Sequence, residues 1–346
     1  MNMKNRCLYC YKEIDDAGLH YHPQCAMKLF GMRQAPVLPY NRNNIEQLAL
    51  QIIEKSTSIT GGQPKLALDI NRGGKNEPNK LTIVGLWGNF ILKPQSSQYA
   101  SLPEVEDVTM KMASACGIET VPHGLIRMDD GELAYITRRV DRDATGKKFS
   151  MLDMCQLTNR LTEHKYRGAY IQLAETIKRY SISPMLDVQR FWELVLFSWI
   201  TGNSDMHCKN FSLLEYPQNG YRLSPAYDLL SVKLVDKFDT DELAMPLLGA
   251  GVLGDAPIVN FKRESFVEAM LLSGITQQIA GKLINKQVSC KEKWFAIIDS
   301  SFLNQELKEQ YKSLISKNLE KLKALISNPS PSHPHRATLM PVRVFF

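Results

Sequence analysis

Two short segments in the second half of the chain carry residues that could transfer a phosphoryl group. Within Gly202–Phe211, Asp205 and Asn210 stand five positions apart, and Asp228 follows eighteen residues later. A carboxylate can orient an attacking hydroxyl and accept its proton, while further oxygen ligands hold magnesium against the phosphates. The Asp-x4-Asn spacing followed by a second aspartate therefore predicts a phosphotransferase core. An isolated loop aspartate is common, so the prediction depends on the order of both segments.

A second group of reactive side chains lies near the N-terminus. Cys7 and Cys10 are separated by two residues, and the same spacing separates His22 from Cys25. Two such pairs can supply the four nitrogen or sulfur ligands of a tetrahedral zinc ion. His20 competes with His22 as the fourth ligand. The alternative interpretation is that these are small buried cysteines beside a surface histidine. A segment this short cannot bury a core, so a metal would supply folding energy.

The elements before the catalytic segments could bind phosphate groups. The small-residue loop Ser58–Lys65 contains Gly61-Gly62, where backbone N–H groups could approach phosphate oxygens, although such glycines also mark ordinary turns. Alternating apolar residues then predict a strand over Leu66–Ile70. A later apolar strand ends in Lys93, and a lysine at such a position indicates either an anionic partner or emergence into solvent.

Two helices follow from caps and periodicity. Ser101 and Glu104 match a capping box, and Gly117 closes the helix that they begin. Asp187 is predicted as the N-cap of a second helix, whose apolar stripe ends at Gly202 just before the catalytic segment. Further amphipathic helices are predicted over 263–273, 276–287 and 304–327.

Composition limits the class of protein. The 346 residues are 44% hydrophobic and 23% charged, which is typical of a globular chain, and the net charge of +6 is small enough for an ordinary mixed surface. We find neither a run of 18 apolar residues nor a secretory signal, so no membrane association is expected. Seven cysteines, an odd number, indicate a reducing compartment rather than a disulfide framework, and predict a cytoplasmic protein.

Several ordered motifs resemble those of the HipA-like kinases. The segments GNSDMHCKNFSLL and LSPAYDLLSV carry the resemblance most clearly, and SITGGQPKLAL, GNFILKP, LPEVEDVTMKMA and ITRRVDRD extend it over residues 50 to 327. The chain looks most similar to the short HipT-type members. The resemblance implies an α+β, bilobed protein-kinase-like fold. The predicted parts are a Cys/His segment (1–40), a strand-rich small lobe (41–145), a helical large lobe (146–327) and a disordered tail (328–346).

The resemblance also implies roles for individual residues. Asp205 would be the catalytic base, with Asn210 and Asp228 as magnesium ligands. Lys93 would hold the ATP phosphates and pair with Glu106. The remaining nucleotide contacts implied are Thr60, Gly61, Gly62, Gln63 and Lys65 at the phosphates, Arg138, Arg139 and Val140 at the adenine, and His207 and Tyr227 beside the metal loops.

The resemblance implies a serine/threonine protein kinase, the toxin of a toxin–antitoxin system, which phosphorylates a bacterial protein such as an aminoacyl-tRNA synthetase. Its partners would be a helix-turn-helix antitoxin, through which alone it would meet DNA, and a small HipS-like protein. Autophosphorylation at Ser58 or Thr60 would regulate it. Three positions depart from the family pattern, namely Thr60, Val105 and Arg138. The alternatives are a small-molecule kinase and a nucleotide-binding pseudokinase that acts as a partner-binding module.

Overall fold

The computed structural model of the chain describes residues 5–45, 65–74, 77–84, 88–143, 145–216, 220–249 and 259–323. The strands are β1 (Leu66–Asn71), β2 (Lys80–Ile83), β3 (Phe90–Lys93), β4 (His123–Arg127), β5 (Leu133–Arg138), β6 (Met151–Asp153), β7 (Ser212–Tyr216) and β8 (Gly220–Leu223). The α-helices are α1 (Pro23–Phe30), α2 (Leu102–Ala115), α3 (Met154–Leu157), α4 (Tyr170–Tyr180), α5 (Pro184–Ile200), α6 (Val232–Val235), α7 (Arg263–Leu272), α8 (Gln277–Ser289), α9 (Lys291–Ser300) and α10 (Gln305–Leu322).

The strand-rich part is an antiparallel sheet of five strands in the order β2-β1-β3-β5-β4. The alternation predicted at its start is present, since Leu66 and Leu68 are buried in β1. In β3, Phe90 and Leu92 are buried likewise, and Lys93 lies opposite Tyr135 of β5. A smaller sheet, β6-β7-β8, belongs to the part that follows. This content agrees with the predicted α+β class, while the predicted domain boundaries stay a prediction.

Helix α2 lies where it was expected, but the predicted capping box is wrong. Ser101 has a φ of 59°, in the left-handed region, and makes no side-chain cap hydrogen bond. Glu104 accepts a hydrogen bond from Gln95 instead, at 2.8 Å. The other end follows the prediction, because Gly117 has a φ of 80°, which lets the backbone turn away from the helix.

The helical part has α5 at its centre. The predicted apolar stripe of α5 is buried, including Trp192 and Trp199. Asp187, however, is not its N-cap, because the helix begins at Pro184. Its buried carboxylate accepts hydrogen bonds from the Ser181 hydroxyl at 2.6 Å and from the Leu223 amide at 2.9 Å. Asp187 therefore ties the helix to strand β8 rather than capping it.

Three further helices lie close to the predicted ranges, namely α7, α8 and α10, whereas α9 was not predicted. The predicted tail, 328–346, lies outside the described residues. Among the helices that the structure describes, none combines the length and apolar character needed to cross a bilayer.

The contact between the two parts runs along α2. The Thr109 hydroxyl lies 2.7 Å from that of Tyr311 in α10, and the Trp294 indole of α9 donates to the Met112 carbonyl at 2.9 Å. At the end of α2, Cys116 forms a disulfide with Cys290, whereas the odd cysteine count had argued against disulfides. Helix α2 is thus bound to the sheet on one side and to the helical part on the other.

Candidate active site

Lys93 is the point at which three elements meet. Lys93 is the last residue of β3, and its side chain is almost fully buried. The ammonium donates to Oε1 of Glu106 in α2 at 2.5 Å and to Oδ1 of Asp228 at 2.7 Å, and it lies 5.3 Å from the Tyr135 ring centroid. A buried lysine is stable only beside compensating charge. The strand, the helix and the loop after β8 therefore bring one cation between two carboxylates.

The charges of this cluster depend on one another. Burial alone would lower the pKa of Lys93, but Asp228 and Glu106 outweigh it and raise that pKa. Burial would raise the pKa of Asp228, yet Lys93 and Lys65 hold it well below its usual range. Lys65 donates to the second carboxylate oxygen of Asp228 at 2.6 Å. For Glu106, burial dominates over the opposing effect of Lys93 and raises the pKa to about 7.

The loop that carries Asp228 is held from two sides. Asp228 has a φ of 55°, which is uncommon outside glycine and is found at functional sites. Just before it, the Ala226 amide donates to the Glu119 carbonyl at 2.8 Å, beyond the end of α2. The Tyr227 hydroxyl donates to the Lys209 carbonyl at 3.0 Å. Tyr227 thereby connects the Asp228 loop to the segment that carries Asp205 and Asn210.

The Asp205–Asn210 segment is closed by its own asparagine. The Asn210 side-chain amide donates to the Asp205 backbone carbonyl at 2.9 Å, at the end of a 3₁₀ turn over Cys208–Asn210. This bond uses the amide nitrogen of Asn210 and leaves its oxygen as the atom suited to a metal. The Asp205 side chain is 50% exposed, so a substrate hydroxyl can reach its carboxylate.

Two rings flank the Asp205 carboxylate. His207 was predicted, and its buried ring lies edge-on to Tyr166 with the centroids 5.0 Å apart. Burial lowers the pKa of His207 to about 4 against the opposing effect of Asp205, so the imidazole is neutral near pH 7. Tyr166 was missed. Its hydroxyl donates to Oδ1 of Asp205 at 2.5 Å, and no local pattern in the sequence relates residues so far apart.

Arg138 and Arg139, two of the remaining predicted contacts, lie at the opposite end of β3 from Lys93. The Arg139 amide donates to the Asn89 carbonyl at 2.9 Å, next to β3, and its guanidinium binds Asp141 at 2.6 and 2.8 Å. Arg138 ends β5 opposite Phe90, and Val140 packs against the core. The predicted Ser58, Thr60, Gly61, Gly62 and Gln63 lie outside the described residues.

The donor set fits magnesium and a nucleotide phosphate. Magnesium prefers carboxylate and amide oxygens, which Asp228 and Asn210 carry. Lys65 and Lys93 both bind Asp228, so two cations lie beside this carboxylate and could neutralise phosphate charge.

The N-terminal cysteines and histidine form a second cluster. Each of Cys7, Cys10, His22 and Cys25 offers a ligand atom, and these atoms all lie within 4.8 Å of one another. Nδ1 of His22 is 3.4 Å from Sγ of Cys10 and 3.9 Å from Sγ of Cys25. Tetrahedral zinc with ordinary bond lengths separates such ligands by roughly 3.5–3.8 Å. Nε2 of His22 lies 3.0 Å from the Glu13 carbonyl, the outer contact typical of a metal-binding histidine.

Comparisons with known proteins agree with this geometry. The HipA-like C-terminal domain model matches residues 57–294. A putative kinase of Haemophilus influenzae is 30% identical over 324 residues, which are 87% of this chain and 89% of the relative. The serine/threonine-protein kinase toxin HipA of Shewanella oneidensis is 26% identical over 208 residues, which cover 55% of this chain but only 46% of that protein.

A solved structure supports the same assignment at the level of the fold. A chain of the Shewanella oneidensis complex of HipA, HipB and operator DNA superposes with a TM-score of 0.63 at 20% identity, covering 80% of this chain and 70% of that one. The matched domain includes the Lys93 cluster and the Asp205 segment. The chain therefore belongs to the HipA-like kinase family.

Proposed function

We propose that the chain is an ATP- and magnesium-dependent serine/threonine protein kinase, with Asp205 as catalytic base. The main support is the Lys93 cluster, in which one buried ammonium contacts both the α2 carboxylate of Glu106 and the loop carboxylate of Asp228. Protein kinases require a strand lysine paired with a helix glutamate, together with a magnesium-binding aspartate. Family membership and this geometry point to the same activity.

The proposed reaction transfers the γ-phosphoryl group of ATP to a protein hydroxyl. The hydroxyl oxygen bonds to the γ-phosphorus as the bond from that phosphorus to the bridging oxygen breaks, and ADP leaves with the bond electrons. Asp205, accessible at its carboxylate, would orient the hydroxyl and accept its proton. Lys93 and Lys65 would neutralise phosphate charge. Magnesium held by Asn210 and Asp228 would supply further positive charge at the phosphates.

We further propose that the kinase is the toxin of a HipA/HipT-type system. The relative named as a toxin kinase and the solved HipA–HipB–DNA complex support this assignment. A helix-turn-helix antitoxin would then bind the kinase and bring it to DNA, and a small HipS-like protein would be a second partner. The target would be a bacterial protein such as an aminoacyl-tRNA synthetase. Autophosphorylation near Ser58 would regulate the site.

The Cys/His cluster would hold one structural zinc ion. The spacing of its ligand atoms and the contact from His22 to the Glu13 carbonyl support this proposal. Metal analysis of the purified protein should give about one zinc per chain. Cys10→Ser should abolish the metal and make the first 30 residues protease-sensitive, because a segment this short needs the ion to fold. A metal-free native protein with equal protease resistance would contradict the zinc site.

The kinase assignment is tested with a single carboxylate change. Asp205→Asn should lower the rate of phosphoryl transfer about 10²–10⁴-fold, since it removes the base. It should leave the Kd for Mg-ATP nearly unchanged. Asp228→Ala should instead raise that Kd, because it removes a proposed metal ligand. Asp129→Asn, on an exposed turn, is the matched control and should behave as native.

The readout is phosphorylation of proteins in a bacterial extract, with phosphosites compared between native and Asp205→Asn protein. The expected result is a set of phosphoserine or phosphothreonine sites that appears only with native and Asp129→Asn protein. Equal transfer by native and Asp205→Asn protein would rule out the proposed base. Phosphorylation of small hydroxyl compounds alone would instead identify a small-molecule kinase.

A further inference from the structure

The segment that contains the Cys/His cluster, residues 5–30, is packed against the five-stranded sheet. The Leu125 amide of β4 donates to the Leu8 carbonyl at 3.1 Å, and the Tyr21 hydroxyl donates to the Leu125 carbonyl. A side chain at Gly124 would meet Leu29 at 3.2 Å, so the two surfaces are in close contact. We call residues 5–30 the Cys/His segment. It is attached to the sheet through one backbone hydrogen bond, the Tyr21 hydroxyl and tight packing.

The Cys/His segment also binds helix α2, next to the residue that pairs with Lys93. The Tyr11 hydroxyl, one residue beyond the ligand Cys10, donates to Oδ2 of Asp107 at 2.6 Å, and both side chains are buried. Asp107 directly follows Glu106 in α2. The ammonium of Lys111, one turn further along the helix, lies 4.9 Å from the Tyr11 ring centroid. The contact therefore lies on the part of α2 that positions Glu106.

A third contact reaches the helical part. The Arg6 guanidinium donates to the carbonyls of Ser300 at 2.6 Å and Ser301 at 3.1 Å, at the C-terminal end of α9. It also lies 4.6 Å from the Phe302 ring centroid, and the same ring packs edge-on against Tyr11 at 5.4 Å. The Cys/His segment thus touches the sheet, α2 and the helical part within a few residues of its metal-ligand candidates.

We propose that the zinc-bound Cys/His segment is a brace that holds α2 where Glu106 can pair with Lys93, so that nucleotide affinity depends on the zinc ion. The proposal rests on the zinc site and on the nucleotide site proposed above. The zinc ion would fix the turn that ends in Tyr11, and Tyr11 would fix Asp107. Tyr11 is a positioning residue in this arrangement, because it touches neither the nucleotide nor the reacting hydroxyl.

The physical basis is the accumulation of buried polar contacts on one short segment. Backbone bonds of the turn around Cys7 and Cys10 run from Cys7 N–H to the Lys12 carbonyl at 2.8 Å and from Tyr11 N–H to the Cys7 carbonyl at 2.9 Å. Without a metal such a segment has no core of its own. Loss of the Cys/His segment would remove the Tyr11 donor from Oδ2 of the buried Asp107 carboxylate, while Oδ1 keeps His123 at 2.7 Å and Lys111 at 3.2 Å. A buried carboxylate oxygen without a donor favours movement of α2. The position of the equivalent helix is what controls activity in many kinases.

A matched pair of tyrosine variants separates the brace from general packing. Tyr11→Phe removes the hydroxyl that binds α2, whereas Tyr21→Phe removes a buried hydroxyl of the same segment that binds β4. Each variant is measured for bound zinc, for Kd of Mg-ATP by calorimetry, and for amide hydrogen exchange of α2 and α5. Native protein treated with a zinc chelator, and then resupplied with zinc, gives the metal arm of the experiment.

Tyr11→Phe should keep its zinc. Amide hydrogens of α2 should exchange faster than in native protein, while those of α5 stay protected. The Kd for Mg-ATP should rise about tenfold, which corresponds to about 1.4 kcal/mol. Tyr21→Phe should bind Mg-ATP nearly as native. Chelation should reproduce both effects of Tyr11→Phe, and zinc should reverse them. Equal α2 exchange in the two variants, or a chelator without effect on α2, would overturn the brace. A native protein that binds no Mg-ATP would contradict the kinase proposal, and α2 exchange would still decide on the brace.

Discussion

Replacing Lys93 with methionine should destabilise the protein far more than the same change at Lys65, although both lysines bind Asp228. The Lys93 side chain is 5% exposed and is bound to two carboxylates, whereas the Lys65 side chain is 53% exposed and is bound to one. Removing one partner of a buried ion pair costs about 3–5 kcal/mol. Removing a solvent-exposed partner costs less than about 1 kcal/mol. Because Asp228 keeps Lys65, the larger part of the Lys93→Met loss comes from Glu106.

The loss at Lys93 should also depend on pH. The pKa of Glu106 is raised from 4.5 to about 7 in the folded protein, so the native state holds the proton more tightly than the unfolded state. Stability therefore falls as the pH rises from 4.5 towards 7, and it levels off above 7 once the ionised Glu106 pairs with Lys93. In Lys93→Met no cation replaces this pairing, so the fall continues above pH 7. Above pH 7, the difference in free energy of unfolding between native and Lys93→Met protein should therefore grow by about 1 kcal/mol per pH unit.

The assay is urea unfolding of native, Lys93→Met and Lys65→Met protein without nucleotide, at pH 6 and pH 8, with the free energy of unfolding extrapolated to water. We expect Lys93→Met to lose much of its free energy of unfolding, and to lose more at pH 8 than at pH 6. Lys65→Met should lose little at either pH. Equal losses for the two variants would refute the buried-cation interpretation. A Lys93→Met loss that does not change with pH would refute the role given to Glu106.

Three further outcomes follow from the proposed function. Tyr166→Phe should speed phosphoryl transfer by up to about tenfold, because the Tyr166 hydroxyl competes with the substrate hydroxyl for Asp205. A slower variant would show that Tyr166 orients the base instead. Native protein incubated with Mg-ATP should gain about 80 Da per event near Ser58, and Asp205→Asn protein should gain none. The double variant Ser58→Asp, Thr60→Asp should bind ATP more weakly than the double alanine, since added negative charge opposes the phosphates; equal affinities would contradict that switch.

Candidate residues for the site could be named from the sequence because phosphoryl transfer would restrict their types and order, and their roles stay a prediction. Asp205 and Asn210 are fixed by local spacing, and the structure joins them through one hydrogen bond within the same turn. Lys93 could be singled out because a charged residue ends an apolar strand. Its pairing with Glu106 was predicted only through the family pattern, and its contact with Asp228 was not predicted, since composition alone does not relate a strand, a helix and a distant loop.

Most of the features that sequence reasoning missed or misassigned depend on contacts between distant parts of the chain, and Ser101 is the exception. Ser101 has the residue type of a cap, yet its backbone is left-handed and its side chain makes no cap bond. Asp187 has the residue type of an N-cap, but its buried carboxylate accepts a hydrogen bond from the distant Leu223 amide instead. Tyr166 approaches Asp205, and Cys116 approaches its disulfide partner, only after the chain has folded. Local propensity is a weak guide wherever tertiary contacts satisfy the same polar group.

The contacts of helix α2 should constrain how its sequence can change, because different faces of the helix contact different parts of the protein. Glu106 faces the lysine strand, Asp107 the Cys/His segment, Thr109 the last helix, and the Met112 carbonyl the indole of α9. Substitutions of residues in contact are not additive. Changes along α2 should therefore survive only together with changes in the partner that each face contacts. Among relatives that have diverged to 30% identity, we expect α2 and its several neighbours to have drifted as one coupled set.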